Sequence, residues 1–368
     1  CRRIGVASPG AMTPVGSSQS TTSIAQFYRA AWSANKEANR LAPHTPSVWL
    51  NVGGAVLRLT FAGEAMIPNV VPALAHLCID PRPRVDLDIA IWDSVSTKVN
   101  MPPPPWSSGD YIARGEIRSH SGEGGFEVAY QPGSGHLSML QGNSRRAMVW
   151  THDASQCPYW ERAAPLRTLL HWWSSRRGQQ LVHGAAVGTA DGAILLTGKG
   201  GSGKSTTALS ALLAGLDYIG DDYVLCQLTG AGAVVHSLFN TAKLDREAFQ
   251  RLPELSDKIA NADRLGEEKG VIFTREHFPQ QVCRSRVMRA IVIPCVTDRV
   301  SSRMVPMRAA LAYLALTPTT VFQLPGANQP ALAFLKQVVE SLPCYQLELG
   351  RDPAQTATLI KQFIEQLA

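Results

Sequence analysis

The chain's 368 residues, 45% hydrophobic and 17% charged, suffice for two domains of ordinary size with cores of their own and exclude a disordered or fibrous protein. No apolar run approaches the roughly 18 residues of a membrane helix, and the net charge of +6 comes from 35 Lys and Arg that are scattered rather than gathered, so neither a membrane nor a nucleic acid is expected as partner. Seven cysteines, odd in number and without C-x-x-C spacing, suggest neither a disulfide framework nor a zinc site and fit the reduced thiols of a cytoplasmic protein.

Residues 1–23, rich in Ser, Thr, Gly and Pro, read as an irregular tail; Arg2-Arg3 lead into no apolar core of a secretory signal. A helix is expected over Ile24–Leu41, ended by Pro43 and Pro46. From there to Trp150 the pattern is β-rich, with strands over Val56–Phe61, Asp86–Trp92, Phe126–Tyr130 and Ala147–Trp150 and one inserted helix over Asn69–Leu77. Pro102–Pro105 read as a stiff loop. A helix over Ala164–Trp173 leads into the strand-like run Leu181–Val187, which the turn Thr189–Gly192 folds against Ala193–Thr197 as a hairpin.

That second arm feeds the most informative stretch. Gly198-Lys199-Gly200-Gly201-Ser202-Gly203-Lys204-Ser205 fits G-x-x-x-x-G-K-[ST], a loop whose glycines let backbone N–H groups turn toward phosphate oxygens. Lys204 is placed to reach the β- and γ-phosphates and the Ser205 hydroxyl to meet magnesium, so ATP and Mg2+ are the expected cofactors. The loop follows an apolar strand and opens a helix over Thr206–Ala214 that stops at Gly215, so its N-terminal dipole adds to anion binding. Gly198, Gly200, Gly201, Ser202, Gly203, Lys204, Ser205 and Thr206 are the candidate nucleotide contacts.

Phosphoryl transfer also needs an acid or base near the γ-phosphate and a further metal contact. Asp221 and Asp222, 17 and 18 residues after Lys204, supply two carboxylates at the mouth of the next strand. Such a pair is held together most readily by a cation or a proton. His183, Lys243 and Lys269 are further candidates near the phosphates; for His183 the alternative is a core histidine in an apolar strand. Beyond the acids, strands are expected over Tyr223–Leu228, Ala233–Phe239, Val271–Phe273, Ala290–Pro294 and Tyr345–Leu349. Helices are expected over Thr241–Leu255, Ala309–Leu316, Ala331–Leu342 and Pro353–Leu367.

Residues Leu181–Leu228 resemble the catalytic domain of HPr kinase/phosphorylase, a protein-serine kinase related in fold to phosphoenolpyruvate carboxykinase. The resemblance rests on His183-Gly184 before the P-loop strand, the loop with Lys204-Ser205, and Gly220-Asp221-Asp222-x-Val224. It implies an α/β P-loop kinase domain with a mixed sheet flanked by helices over residues 161–368; the β-rich α+β domain over 24–160 that precedes it is expected, from its position alone, to recognise substrate. The resemblance also implies Asp221 as catalytic base, with Asp222 and Ser205 at the metal. The family's Arg-Gly-rich segment has no counterpart in Val234–Lys269, which argues against HPr as substrate. Thr241–Leu244 and Leu342–Leu349 resemble the HPr-kinase-like enzymes of lasso-peptide modification, and the acceptor implied is a serine hydroxyl of a peptide or protein. A small-molecule or carboxykinase-like phosphotransferase, or a nucleotide-gated binding module without turnover, is the alternative; a homo-oligomer is compatible with the sequence.

Overall fold

The computed structural model describes residues 23–111, 115, 117, 125–142, 144–326 and 329–367, so the expected tail, apart from Ser23, lies outside the described residues. Helix α1 (Ile24–Leu41) starts at a capping box, in which the Ser23 hydroxyl accepts from the Gln26 amide at 3.3 Å and the Gln26 side chain accepts from the Ser23 amide at 2.7 Å. It is followed by β1 (Ser47–Val52), β2 (Ala55–Phe61), α2 (Ile67–Leu74), β3 (Cys78–Ile79), β4 (Leu87–Asp93), the single turn α3 (Ser94–Thr97), β5 (Phe126–Gln131), β6 (His136–Gln141) and β7 (Arg146–Thr151). The chain divides into two compact units: Cys1–Trp49, Leu57–Asn69 and Arg82–Cys157 form one, and Leu50–Val56, Val70–Pro81 and Pro158–Ala368 form the other.

In the first unit the strands run in the order β2-β4-β7-β6-β5, parallel from β2 through β4 to β7 and antiparallel onward. Helix α1 repeats Ile24, Phe27, Tyr28, Ala31 and Ala38 at helical spacing, and this stripe packs with Trp92, Val128, Leu137, Met139, Met148 and Trp150. Burying such side chains contributes roughly 1.5–3 kcal/mol each, which a helix of this amphipathicity needs to persist.

The second unit continues with α4 (Tyr159–Arg162), α5 (Arg167–Ser175), β8 (Gln179–His183), β9 (Ala185–Thr189), β10 (Gly192–Leu196), α6 (Lys204–Leu213), β11 (Asp217–Gly220), β12 (Tyr223–Thr229), β13 (Gly232–His236), β14 (Thr241–Leu244) and α7 (Arg246–Arg251). It closes with β15 (Gly270–Phe273), α8 (Thr274–His277), β16 (Ser285–Val296), β17 (Arg303–Met307), α9 (Ala309–Val321), α10 (Gln329–Glu340), β18 (Cys344–Leu349) and α11 (Pro353–Gln366). Its mixed sheet has the path β11-β9-β10-β16-β13-β12-β8, with β18 parallel to β16 and β17 antiparallel to β18. Alternation along β9 and β10 sends side chains to opposite faces. Ala185, Val187, Ile194 and Leu196 pack with α6 and α11, whereas Ala186, Ala193 and Leu195 pack with α9 and α10.

Several expectations shift. The run Leu181–Val187 is two strands, not one, because the chain breaks register at Gly184. There a Cβ would stand 2.7 Å from the Leu196 carbonyl oxygen. Strand β9 forms the expected hairpin arm on β10, with Ala185 opposite Leu196, but β8 crosses to β12 and sets His183 opposite Tyr223. The expected helix Thr241–Leu255 is instead strand β14, paired with β15, followed by the short α7 whose N-cap Asp245 accepts from the Ala248 amide at 2.9 Å. Helix α5 begins three residues later than expected because Pro165 and a left-handed Leu166 precede it. Pairing and burial override local helical pattern in these places. Strands β1, β3, β6, β11 and β17 have no counterpart in the sequence expectations.

Candidate nucleotide-phosphate site

Strand β10 lies between β9, antiparallel, and β16, parallel, and delivers the chain to Thr197 just beyond its C-terminal end. The loop then turns through Gly198, Gly201 and Gly203, at φ +132°, +77° and +100°, which a Cβ would strain. At Gly203 the close approach is explicit, since a Cβ there would lie 2.4 Å from Leu349 Cδ1. Gly203 is the N-cap of α6, so Lys204, Ser205 and Thr206 form its first turn. The Ser202 hydroxyl is buried without a hydrogen-bond partner, and a Cβ at Gly200 or Gly201 would meet open space. A loop with donors to spare and room above its glycines fits a phosphate chain.

Lys204 is nearly buried and folds back on the loop, donating to the Gly198 and Lys199 carbonyls at 2.8 and 3.1 Å. Burial holds its proton affinity down, opposed by Asp221 and Asp222. The Ser205 hydroxyl donates to Asp221 Oδ1 at 3.0 Å. Asp221 and Asp222 occupy the turn between β11 and β12, and Asp222 takes φ +67°.

The two carboxylates differ in environment. Asp221 is 1% exposed; burial and the neighbouring Asp222 raise its proton affinity, against hydrogen bonds from Ser205 and the Lys243 amide, the latter at 3.5 Å to Oδ2. For Asp222 burial acts in the same direction, but the Lys243 ammonium and His183 outweigh it and hold the carboxyl well below the usual range. His183 Nε2 stands 3.3 Å from Asp222 Oδ1, and the Lys243 ammonium is paired with Oδ2. His183 reaches this place from the end of β8, and Lys243 from β14. Ser205 therefore touches Asp221 rather than Asp222.

A cavity of about 410 Å³ opens over this group. Of the residues singled out in the sequence, His183, Gly200, Gly201, Gly203, Lys204, Ser205, Thr206, Asp221, Asp222, Lys243 and Lys269 line it. Gly198 and Ser202 form the loop beneath without being among its lining residues. Trp160, Glu267 and Glu268 line it as well, and sequence reading passes over them. The charged run Glu267-Glu268-Lys269 directly before an apolar strand is the one local signal that could have marked that wall. Ser205 and the acid pair are hard oxygen donors of the kind that would hold magnesium.

No protein-family model matches the sequence, and no curated protein matches it. Among solved structures, the Hpr(Ser) kinase/phosphatase from Coxiella burnetii is similar over 51% of this chain and 98% of that one, with a TM-score of 0.30 and 11% identity. Values this low assign the chain to no family. No helix among the described residues is long and apolar enough to cross a membrane.

Proposed function

We propose that the chain is an ATP-dependent kinase that transfers the γ-phosphate to a hydroxyl of a peptide or protein, a serine of a precursor peptide being the acceptor the sequence resemblance suggests. The observation that carries this reading is the Ser205–Asp221 hydrogen bond at the mouth of a glycine-rich loop, which joins the phosphate end of the cavity to a buried acid pair. Mere nucleotide binding has no need of two carboxylates there. Loop amides and Lys204 would hold the phosphates, while Ser205 and Asp222 would hold magnesium, which supplies charge neutralisation across the β- and γ-oxygens when bound.

With its raised proton affinity, Asp221 suits the proton acceptor: it takes the proton of the acceptor hydroxyl as that oxygen bonds to the γ-phosphorus and the bond to the β,γ-bridging oxygen breaks, releasing ADP. Asp222, held ionised by Lys243 and His183, suits a cation. Incubation with ATP, magnesium and a serine-containing precursor peptide should add one phosphate by mass. Asp221→Asn should lower kcat by roughly 10²–10⁴ with nucleotide binding kept, and Asp222→Asn should weaken magnesium-dependent nucleotide binding. The reverse pattern exchanges the two roles. Normal nucleotide binding without transfer to any hydroxyl acceptor refutes the kinase reading.

A further inference from the structure

Three non-glycine residues among those described have positive φ, and two of them, Leu166 at +59° and Asp222 at +67°, each precede one partner of a single contact. In that conformation an L side chain's Cβ crowds the backbone, so it persists only where surrounding structure holds it. The partners are Arg167 and Tyr223. The Arg167 guanidinium stands over the Tyr223 ring with Cζ 5.2 Å from its centroid, close enough for a cation–π attraction.

Tyr223 is gripped elsewhere too. His183 packs on it with centroids 5.5 Å apart, and its hydroxyl donates to Gln323 Oε1 at 2.7 Å. Its backbone closes the acid turn: the Tyr223 amide donates to the Asp221 carbonyl at 2.8 Å, while the Asp222 carbonyl accepts from the Gly184 amide at 3.1 Å. Beside these backbone bonds, the placement of the turn depends on where the side chain that follows it is anchored.

Arg167 is poorly placed for anything but this contact. It is the first residue of α5, where the helix dipole disfavours a cation, and its Nε is buried without a hydrogen-bond partner. Burial opposes its charge, and the Glu161 and Asp222 carboxylates offset that. Sequence reading passes over Arg167 because nothing local distinguishes it from other helix-edge arginines.

We propose that Arg167 is a positioning residue of the site: through the Tyr223 ring it holds the Asp221-Asp222 turn in its left-handed form and keeps both carboxylates at the phosphate end of the cavity. Its effect on turnover rests on the kinase reading; its effect on the turn does not.

Hydrogen exchange and kinetics on the full chain test this with Arg167→Met, which keeps bulk and loses charge, and Arg167→Lys, which keeps a cation. Exchange at the Tyr223 amide should accelerate about tenfold in Arg167→Met, stay nearer the parent in Arg167→Lys, and remain unchanged along β10 and α6. The kcat of Arg167→Met should fall about tenfold while magnesium-free nucleotide binding, which the loop amides and Lys204 would provide, stays within about twofold, the signature of misplaced carboxylates beside an intact phosphate loop. Unchanged exchange at Tyr223, or acceleration spread evenly over β8–β10, overturns the proposal. Should Arg167→Met fail to fold, Arg167→Gln gives the same comparison. A parent that transfers no phosphate sinks the kinase reading alone, and the exchange experiment still decides this one.

Discussion

Lys243→Met removes the ammonium paired with Asp222 and leaves that carboxylate with His183 Nε2 at 3.3 Å and with the electrostatic pull of Arg167 and Lys204. The side chains of Lys243 and Asp222 are 16% and 22% exposed, so the pair is neither open to solvent nor sealed from it. Breaking a buried pair from one side costs about 3–5 kcal/mol, and an exposed pair is worth about 0–1 kcal/mol. Partial exposure and the residual histidine place Lys243→Met near 2 kcal/mol of destabilisation. Asp222→Asn leaves an ammonium that can turn into the open cavity, so it should cost about 1 kcal/mol, and the double variant little more. The expected coupling is therefore about 1.5 kcal/mol, a factor of roughly ten in the unfolding equilibrium. Because the chain has two compact units, the cycle should be read from denaturant-dependent hydrogen exchange of amides in β9–β12, which reports the second unit by itself. Single variants that add to within about 0.5 kcal/mol of the double would refute the reasoning, for they would mean that Lys243 does not hold Asp222 ionised.

Two further outcomes follow from the same geometry. Gly203→Ala should lower the melting temperature by about 2–6 °C, since a Cβ meets both an unfavourable φ of +100° and Leu349, whereas Gly200→Ala, with open space around its Cβ, should leave it nearly unchanged; differential scanning calorimetry distinguishes them. His76, buried in the second unit between the Ser237 hydroxyl at 2.7 Å and the Asn240 amide at 3.2 Å, is pushed down to about 3 by burial and by Arg284 and Arg275. Its folded value lies below the unfolded one, so the unfolded chain binds more protons between pH 6.5 and 3 and stability falls on acidification through that window. Passing from pH 7 to 5 should cost about 2 kcal/mol through this histidine, an increment that His76→Gln abolishes in denaturation midpoints at the two pH values.

The acid sensitivity of His76 also bears on how its cluster is to be understood. Ser237, His76 and Asn240 have the membership of a hydrolytic triad, yet all three are buried, and the Asn240 side-chain amide donates toward Nδ1, which leaves Nε2 to donate to the serine rather than to take its proton. The cluster is a satisfied polar core, and one of its histidine's ties, to Ser237, spans 161 residues.

What the sequence by itself determined was the local grammar of the site. The strand before the loop, its glycines, the helix after it and a hairpin arm on β10 are encoded within some thirty consecutive residues, because backbone conformation there depends on glycine placement and apolar runs, although the helix begins at Lys204 rather than Thr206 and the arm is Ala185–Thr189 rather than Leu181–Val187. Helix α1 was legible for the same reason, with its capping box and stripe contiguous in the chain.

Only the tertiary structure decided what surrounds the phosphates. His183 left the hairpin and joined β12 because Gly184 permits a backbone approach to Leu196 that no local pattern announces. Lys243 reached Asp222 from a strand, not a helix, because pairing with β15 outweighed helical propensity over Thr241–Leu244. Trp160, Glu267 and Glu268 line one cavity from segments just over a hundred residues apart in the chain, and Arg167 meets the ring of Tyr223; side-chain convergence of that range is set by packing of the sheet and its helices, for which a single sequence carries no period or spacing.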